Sequence, residues 1–419
     1  MRPDAALIKH ATAVLTEALG FSGPADQVLS RHFRAHRELG QREREFIAET
    51  LFAVLRRMRS LEAACRGNRR ARDLVLTALV RLQGVSVRSL ESASSERECE
   101  LLGHAKAFQL ASAPLPVRAE LPDWLWDRLA REFGVDEALA LAGGMLDSAP
   151  MDLRVNTLKA TRAQVLERLR ADGHACEPTP YSPFGVRLEA KPQLNLNPLY
   201  QEGVLEAQDE GSQLLACLVA PRRGEMVVDF CAGAGGKTLA LGAMMKNAGR
   251  LYAWDVSAKR LAALEPRLAR SGLSNVHPVA IASENDARAR RLAGKIDRVL
   301  VDAPCSGFGT LRRNPDLKWR FGDMDVAELA AKQARILAGA ARLLKRGGRL
   351  VFATCSVLRE EGEAVAEAFL AGHPQFARVS CAEILAAQKI ALDTGPDLRL
   401  FTHRHHTDGF FASAFSRNG

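Results

Sequence analysis

The second half of the sequence alternates short apolar runs with amphipathic stretches, and this alternation limits the fold more than any other feature. From about Ala207, each run of strand-forming residues is followed by apolar residues at helical spacing. Repeated strand–helix units build an open, mostly parallel sheet with helices on both faces. We therefore predict an α/β domain with strands at Met226–Phe230, Arg250–Asp255, Val276–Ile281, Asp297–Asp302 and Arg349–Phe352, and with helices from Gly236, from Ala258 and over Val326–Leu344.

The end of the sequence predicts one further element of this sheet. Leu398–Phe401 and Phe410–Phe415 are strand-like and are separated by a short loop that contains Asp408-Gly409. We expect them to form a hairpin that closes the sheet edge.

The first strand–helix turn, within Val227–Thr238, predicts a ligand-binding loop. Its small residues let a ligand approach backbone N–H groups at the start of a helix. The turn is not a P-loop, because Cys231 stands where that motif requires glycine, and the dinucleotide motif fails because Thr238 stands at its last glycine. The candidate cofactor-binding residues of the turn are Cys231, Ala232, Gly233, Ala234, Gly235, Gly236 and Lys237.

Two acidic residues extend this candidate site. Asp255 ends the next strand, where a carboxylate can accept hydrogen bonds from a ribose diol; the alternative is that it caps the following helix. Asp286 follows the third strand and is expected to face the adenine side of a nucleoside, with Asn285 as its nearest competitor.

Two cysteines and an aspartate are expected at the same edge of the sheet. Asp302 ends the fourth strand and Cys305 lies just beyond it, after Pro304, while Cys355 ends the fifth strand. The carboxyl ends of parallel strands are where open α/β folds bind ligands. One cysteine at a strand end is usually structural, but two on adjacent strands beside a nucleotide loop indicate chemistry.

The sequence before the α/β region predicts two smaller parts. Apolar residues recur at helical spacing from Ala5 to about Leu90, and residues 84–118 are interpreted as a helix tail followed by a linker. Met151–Val155 and Gly185–Leu188 are strand-like and flank a helix over Thr161–Ala171, which indicates a small α+β module. The domain boundaries are accordingly predicted at 1–118, 119–206 and 207–419.

The charge distribution favours a nucleic-acid partner. The chain carries a formal charge of +9, and residues 1–120 contain 19 Lys and Arg against 14 Asp and Glu. Seven of these arginines lie between Arg56 and Arg72. We interpret this stripe as a contact for a phosphate backbone, although a solvated helix face is the alternative.

Composition excludes several other classes. The eight cysteines form no CxxC pair, which argues against a zinc site or a disulfide framework. The run His403–His406 lacks nearby cysteine partners and is interpreted as a solvated loop, so no metal is expected. The sequence contains no apolar run long enough to span a membrane and does not begin like a signal peptide, and a cytoplasmic monomer without membrane contact is expected.

At this point the residues show a resemblance to a known family. From Leu121 to Phe415 the sequence resembles the NOL1/NOP2/Sun family of RNA cytosine-C5 methyltransferases, and the helical N-terminal part resembles the NusB-like RNA-binding domain of the bacterial 16S ribosomal RNA members. The family usually has Ala-Pro where Gly233-Ala234 stands, which predicts a looser cofactor loop. The matching segments are Arg154–Thr157, Gln208–Gln213, Cys231–Thr238, Asp302–Gly307, Arg312–Trp319, Thr354–Ser356 and Asp408–Phe411.

The resemblance implies a fold, a cofactor and a mechanism. It implies a class I (Rossmann-like) methyltransferase sheet, S-adenosylmethionine as cofactor, and 5-methylcytosine in ribosomal RNA as product. Cys355 is implied as the nucleophile that adds to C6 of cytosine, and Cys305 as the acid or base that helps release the product. Asp302 is expected to bind the pairing edge of the base, with Lys237 as an electrostatic helper.

The sequence alone leaves alternative substrates and functions open. The RNA partner is expected to be small-subunit ribosomal RNA, with Arg312, Arg313, Lys318 and Trp319 holding phosphates and stacking a base; Trp319 packing under its loop is equally compatible. Transfer RNA is the second candidate substrate. A DNA methyltransferase would use a Pro-Cys nucleophile and would not need Cys355. A non-catalytic ribosome-assembly factor would not need Asp302, Cys305, Cys355 or the carboxylates of the cofactor site.

Overall fold

The N-terminal part of the chain is helical, as its apolar spacing predicts, in the computed structural model, which describes residues 4–418. This helical unit extends to Ser148 and also includes the later segment Thr310–Asp323. Its helices are α1 (Ala5–Ala18), α2 (Ala25–Ala35), α3 (Gln41–Arg56), α4 (Met58–Ala64), α5 (Ala71–Arg81), α6 (Val87–Leu90), α7 (Glu96–Ala107), α8 (Leu115–Arg118), α9 (Asp123–Phe133) and α10 (Val135–Leu146).

The interpretation of residues 84–118 as a helix tail and linker is wrong. Ser95 and Glu98 form a capping box, in which each side chain bonds the backbone N–H of the other residue, and this starts α7. Leu102 and Ala105 of α7 are then fully buried in the helical unit. The serine- and glutamate-rich composition therefore marks a helix start rather than a flexible connection.

A small antiparallel sheet opens the second unit, which comprises Ala149–Gly309 and Met324–Gly419. Its strand order is β2 (Cys176–Pro178), β3 (Gly185–Leu188), β1 (Met151–Val155) and β4 (Leu205–Ala207). The predicted strands at 151–155 and 185–188 are confirmed, and Thr161 is the N-cap of the predicted helix rather than part of it. The elements are β1 (Met151–Val155), α11 (Arg162–Ala171), β2 (Cys176–Pro178), β3 (Gly185–Leu188), α12 (Pro198–Gln201) and β4 (Leu205–Ala207).

The large sheet of the second unit confirms the predicted α/β fold. Along the chain its elements, with one short helix (α18) that belongs to the helical unit, are α13 (Glu210–Val219), β5 (Met226–Asp229), α14 (Gly236–Met244), β6 (Arg250–Asp255), α15 (Ala258–Ala262), α16 (Glu265–Ser271), β7 (Val276–Ala280), α17 (Ala287–Arg291), β8 (Ile296–Asp302), α18 (Leu317–Arg320), α19 (Asp323–Ala341), β9 (Leu344–Thr354), α20 (Glu363–Gly372), β10 (Phe376–Val379), α21 (Cys381–Ala386), β11 (Leu398–Leu400), α22 (Thr402–His405) and β12 (Phe410–Arg417).

The strand order of the large sheet determines where a ligand can bind. The order is β10-β12-β9-β8-β5-β6-β7, and β9, β8, β5, β6 and β7 are parallel. The chain runs from β5 outward to β7 and then returns to the other side of β5 as β8. The strand order therefore reverses between β5 and β8, and open α/β folds bind ligands beyond the carboxyl ends of the strands at such a point.

Alternation of apolar side chains along the strands buries both faces of this sheet. Val227, Leu300 and Val351 pack in one core cluster, while the next residues along each strand, Val228, Val301 and Phe352, pack in another. A strand that is buried on both faces has an uninterrupted run of apolar residues, and this pattern allowed these strands to be predicted from the sequence.

The predicted C-terminal hairpin is correct in its pairing and wrong in its position. β11 pairs antiparallel with β12, and α22 lies between them. However, β12 also pairs with β9 and β10, so β10 lies at the edge of the sheet and β12 lies inside it. β12 is flanked on both sides because Phe376–Val379 supplies a strand that the sequence pattern did not single out. The domain boundaries predicted at 118 and 206 remain predictions. Within residues 4–418, none of the helices is long and apolar enough to cross a membrane.

Candidate active site

A cleft opens beyond the carboxyl ends of the central strands. It has a volume of about 490 Å³, which is within the usual range for a small-molecule site. Apolar side chains, thiols and charged groups share its surface. Its lining residues are Phe230, Cys231, Asp255, Val256, Ser257, Arg260, Ile281, Glu284, Asp302, Ala303, Pro304, Cys305, Lys332, Arg335, Ile336 and Cys355.

The predicted ligand-binding turn lies between β5 and α14. Gly233 and Gly235 have positive φ angles of 54° and 80°, which L-residues with side chains rarely adopt. A Cβ atom on Gly235 would lie 2.2 Å from a methyl carbon of Leu264. The backbone of the turn therefore requires glycine, and Cys231 at its start forms part of the cleft wall.

Asp255 holds this turn from the end of β6. One carboxylate oxygen accepts the Gly233 N–H at 2.8 Å, and the other accepts the Ser257 N–H at 2.8 Å. Ser257, not Asp255, is the N-cap of α15. The structure therefore excludes the capping alternative for Asp255 and leaves its carboxylate on the cleft wall, beside the turn.

Arg267 fixes the turn at the position where the resembled family usually has proline. Its guanidinium donates to the Ala234 carbonyl oxygen at 2.6 Å and to the Glu206 carboxylate at 2.9 Å. Glu206 is almost fully buried and also accepts from Arg270 at 2.6 Å. Hydrogen bonds thus hold Ala234 in place, so the missing proline need not leave the loop free.

Asp286 lies between β7 and α17, after the third predicted strand. Its carboxylate accepts the Arg288 N–H at 2.8 Å and the Ala282 N–H at 2.9 Å, and it caps α17. These two backbone hydrogen bonds account for a lowered pKa of Asp286. The cleft wall at this strand end is instead formed by Ile281 and Glu284. The adenine-side role of Asp286 stays a prediction.

The two predicted thiols lie next to each other. The Sγ atoms of Cys305 and Cys355 are 3.3 Å apart, and both cysteines are free thiols. The hydrogen bond with Cys355 and burial raise the pKa of the Cys305 thiol well above its usual value. Cys305 therefore keeps its proton at neutral pH and can donate it to the sulfur of Cys355.

Asp302 and Lys237 form an ion pair beside these thiols. The Lys237 Nζ atom lies 2.6 Å from a carboxylate oxygen of Asp302 and 5.9 Å from the centre of the Phe410 ring. Burial acts to lower the pKa of Lys237, but the charge of Asp302 and the hydrogen bond to it outweigh burial and raise that pKa. Lys237 therefore stays cationic, as an electrostatic helper must, and is a poor general base.

The carboxylate of Glu361 joins the two cysteine loops, and the sequence interpretation missed it. It is fully buried and accepts hydrogen bonds from Ser306 N at 2.8 Å, Ser306 Oγ at 2.5 Å and Ser356 Oγ at 2.6 Å. Gln333 adds a bond to it at 3.1 Å and also donates to the Pro304 carbonyl oxygen. The one signal in the sequence was the serine that follows each cysteine.

Two further buried groups lie at the β5 end. Burial raises the pKa of Asp229 to about 7, and one of its oxygens accepts the Thr238 hydroxyl at 2.7 Å. Its other oxygen has no hydrogen-bond partner within the described residues. Burial and the charge of Asp229 raise the pKa of Cys231, so this thiol stays protonated and is a wall residue rather than a nucleophile.

Several of the remaining sequence motifs stabilise the second unit. Arg154 is buried and donates to the Gln208 side chain at 2.7 Å, and burial lowers its pKa to about 10. At the sheet edge, Gly409 N donates to the Gly309 carbonyl oxygen at 2.7 Å. A Cβ atom on Gly309 would lie 2.0 Å from the Gly409 carbonyl oxygen, so only glycine allows this approach. These motifs hold the backbone around the cleft.

The residues expected to bind RNA after β8 are largely buried in the helical unit. Lys318 Nζ donates to the carbonyl oxygens of Arg56 at 2.8 Å and Glu120 at 2.6 Å, and burial lowers its pKa to about 7. The Trp319 indole donates to the Leu55 carbonyl oxygen at 2.8 Å, and Arg312 is also buried. The expected phosphate and stacking roles of Lys318 and Trp319 are therefore wrong, because this segment packs among the helices.

Several arginines of the stripe between Arg56 and Arg72 form ion pairs within the protein. Arg59 pairs with Asp123, Arg69 with Glu62 and Arg72 with Glu98. Arg66 and Arg70 remain exposed. A phosphate contact from this stripe therefore stays a prediction that involves fewer arginines than the sequence suggested.

The fold and the cleft together define a class of protein. A Rossmann-like sheet with a glycine turn, an acid beside that turn and a cleft at the switch point is a class I methyltransferase domain, whose cofactor is S-adenosylmethionine. The family model described as 16S rRNA methyltransferase RsmB/F matches residues 216–416, and the model described as the RsmF/B-like ferredoxin-like domain matches residues 121–195. Residues 216–416 therefore form a methyltransferase domain of the RsmB/F (Sun) family, preceded by the ferredoxin-like domain of the same family.

Individual proteins and structures agree with this family. The chain is 34% identical over 305 residues to the probable ribosomal RNA small subunit methyltransferase B of Bacillus subtilis, which covers 71% of this chain and 66% of that protein. The crystal structure of PH0851 superposes with a TM-score of 0.81 at 25% identity over 100% of both chains. A methyltransferase homolog protein from Pyrococcus horikoshii gives 0.62 at 28% identity, over 72% of this chain and 97% of that one. The chain thus spans slightly under two thirds of the curated Bacillus relative.

Proposed function

We propose that this protein transfers a methyl group from S-adenosylmethionine to carbon 5 of a cytosine in small-subunit ribosomal RNA, through a covalent bond between Cys355 and C6 of the base. The observation that carries the proposal is the pair of thiols 3.3 Å apart at the mouth of the cofactor cleft. A methyltransferase acting on a more nucleophilic atom needs neither thiol. Carbon 5 of cytosine needs one thiol to add to the ring and a second group to help release the product.

The raised pKa of the Cys305 thiol supports the assignment of the two cysteines. Cys305 keeps its proton because of its hydrogen bond with Cys355 and its burial. We assign Cys355 as the sulfur that adds to C6, which makes C5 nucleophilic. After C5 has taken the methyl group and lost its proton to a solvent water, the Cys355 sulfur leaves C6 and the ring regains its double bond. Cys305 lies within reach of this sulfur as an acid or base for that release.

The charges of Asp302 and Lys237 suit the binding of a cytosine base. Asp302 is partly exposed to the cleft and is held by Lys237, so its carboxylate is available to a base amino group on the pairing edge. The ammonium of Lys237 lies 2.6 Å from this carboxylate and balances its charge. We propose Asp302 as a catalytic residue and Lys237 as the group that positions it.

The cleft suits the cofactor. The turn Cys231–Lys237 offers backbone close to the ligand, and Asp255 offers a carboxylate beside it. Phe230, Ile281 and Ile336 supply apolar walls for a purine ring. Bound there, S-adenosylmethionine supplies an electrophilic methyl group on its sulfonium sulfur.

Ribosomal RNA is proposed as substrate because the B. subtilis relative is named for it and because the chain is basic. The target cytosine must leave any base stack to reach a cleft of this kind. The test is transfer of labelled methyl groups from the cofactor to unmodified small-subunit ribosomal RNA, followed by identification of 5-methylcytosine. Label on ribosomal RNA and not on transfer RNA supports the proposal. Label on a base other than cytosine, or on transfer RNA alone, contradicts it.

A further inference from the structure

Three histidines of the helical unit lie together, and the proposed function uses none of them. His10 is on α1, His32 is in the last turn of α2, and His36 directly follows α2. One ring nitrogen of each lies within 4.8 Å of the others. All three are half-buried. We name them the histidine cluster.

The geometry of the histidine cluster is that of metal ligands. His32 lies in the last turn of α2 and His36 directly follows the helix, and their ring centres are 4.4 Å apart. The Nδ1 atom of His10 and the Nε2 atom of His32 are 3.1 Å apart. Two nitrogens on a tetrahedral ion with bonds near 2.1 Å lie about 3.4 Å apart, so this pair needs almost no movement.

A carboxylate orients the third ring. His36 Nδ1 lies 2.8 Å from a carboxylate oxygen of Glu38, which leaves its Nε2 atom as the ligand. Metal-binding histidines commonly bond a carboxylate through their second nitrogen, because this fixes both tautomer and ring orientation. Glu17, paired with Arg31, contributes further negative charge near His32.

The alternative is a cluster held by ring contacts alone. The His32 and His36 rings are 4.4 Å apart, and the His10 and His36 rings are 4.8 Å apart. A hydrogen bond between the His10 and His32 rings also brings their nitrogens together, but it does not account for the approach of a nitrogen of His36 to both.

We propose that His10, His32 and His36 form a binding site for one divalent first-row transition metal ion, of the class Zn²⁺, Co²⁺ or Ni²⁺, with imidazole as the ligand type. The site goes beyond the proposed methyl transfer and departs from the expectation that the chain binds no metal. The ion joins α1 to the end of α2 and stabilises the helical unit.

The test uses the full chain, stripped with a chelator and titrated with Co²⁺ alone. We expect one equivalent to bind, with the d–d absorption of a nitrogen-coordinated ion and without a thiolate charge-transfer band. His32→Gln and His10→Gln should each weaken binding at least tenfold. His104→Gln, which removes an exposed histidine of α7 in the same unit, should not change it.

Two further measurements separate the site from other causes. The double variant Cys305→Ala/Cys355→Ala should bind Co²⁺ as the wild type does, since the paired thiols are the competing soft ligands. Zn²⁺ should raise the thermal midpoint of the wild type but not that of His32→Gln, with unchanged far-ultraviolet circular dichroism showing that the variant is folded. Absence of saturable binding, binding unaffected by His32→Gln, or binding lost in the cysteine variant would overturn the proposal.

Discussion

The two ends of the cleft are held by different kinds of structure. At the thiol end, a single buried carboxylate, Glu361, bonds both loops that carry the cysteines. At the cofactor end, separate groups hold the glycine turn, among them Asp255 and Arg267. Because of this difference, we expect a single substitution of Glu361 to abolish the function of the thiol end. At the cofactor end, we expect each single substitution to weaken cofactor binding only in part.

The largest effect is expected for Glu361→Ala. This change leaves Ser306, Ser356 and Gln333 without their shared buried acceptor, and breaking such a network costs about 3 kcal/mol. We expect the free energy of unfolding to fall by that amount and methyl transfer to be lost, while cofactor affinity changes little. Urea denaturation, calorimetric cofactor titration and a methyl-transfer assay measure the three quantities.

A matched control uses a glutamate of the same segment. Glu367 of α20 is exposed and pairs with Arg359 only at the surface, so Glu367→Ala should keep wild-type activity. Equal losses from the two substitutions would mean that Glu361 has no special part in holding the loops.

Asp302→Asn should have the next largest effect. The substitution keeps the shape of the side chain but removes the charge that Lys237 balances. We expect kcat to fall by roughly 10²- to 10³-fold, as is typical when one charge-stabilising group is removed. Stopped assays at saturating cofactor measure it. A variant with unchanged kcat and a raised KM for the cofactor would instead assign Asp302 to cofactor binding alone.

Arg267→Ala tests the gradual behaviour of the cofactor end. It removes the hydrogen bond to the Ala234 carbonyl oxygen, so the turn should loosen and KM for the cofactor should rise about tenfold with little change in kcat. Arg270→Ala is the control, because Arg270 also pairs with Glu206 but its hydrogen bonds do not reach the turn. If both variants raise KM equally, the effect arises from Glu206 and not from the turn.

Asp229→Asn should have the smallest effect on activity, because the change acts on the pH dependence of stability. Burial raises the pKa of Asp229 in the folded state to about 7, so the stability that its protonated form contributes is complete below its unfolded pKa and is lost as pH rises towards 7. The slope is at most about 1.4 kcal/mol per pH unit. Urea denaturation between about pH 4 and pH 8 should show this slope in the wild type and a flatter curve in the variant.

The sequence predicted the elements of the sheet better than it predicted long-range contacts. Asp302, Cys305 and Cys355 end strands that are apolar on both faces, so their convergence at one edge follows from topology. Glu361 was missed because it follows two other charged residues, Arg359 and Glu360, and its burial depends on how two distant loops meet.

The segment after β8 shows a second limit of sequence reasoning. Lys318 and Trp319 have side chains suited to RNA, but their partners Arg56, Leu55 and Glu120 lie some 200 or more residues earlier in the chain. Nothing in the local sequence indicates that this segment packs among those helices. The histidine cluster was missed for the same reason, although the spacing of His32 and His36 was visible.

The central claim is covalent catalysis by Cys355 with Cys305 acting in release. The direct measurement incubates wild type, Cys305→Ala and Cys355→Ala with cofactor and unmodified small-subunit ribosomal RNA, followed by detection of a protein–RNA adduct that resists denaturation. The account predicts that Cys305→Ala accumulates the adduct and that Cys355→Ala forms none. Accumulation in Cys355→Ala and none in Cys305→Ala would contradict the assignment and identify Cys305 as the nucleophile.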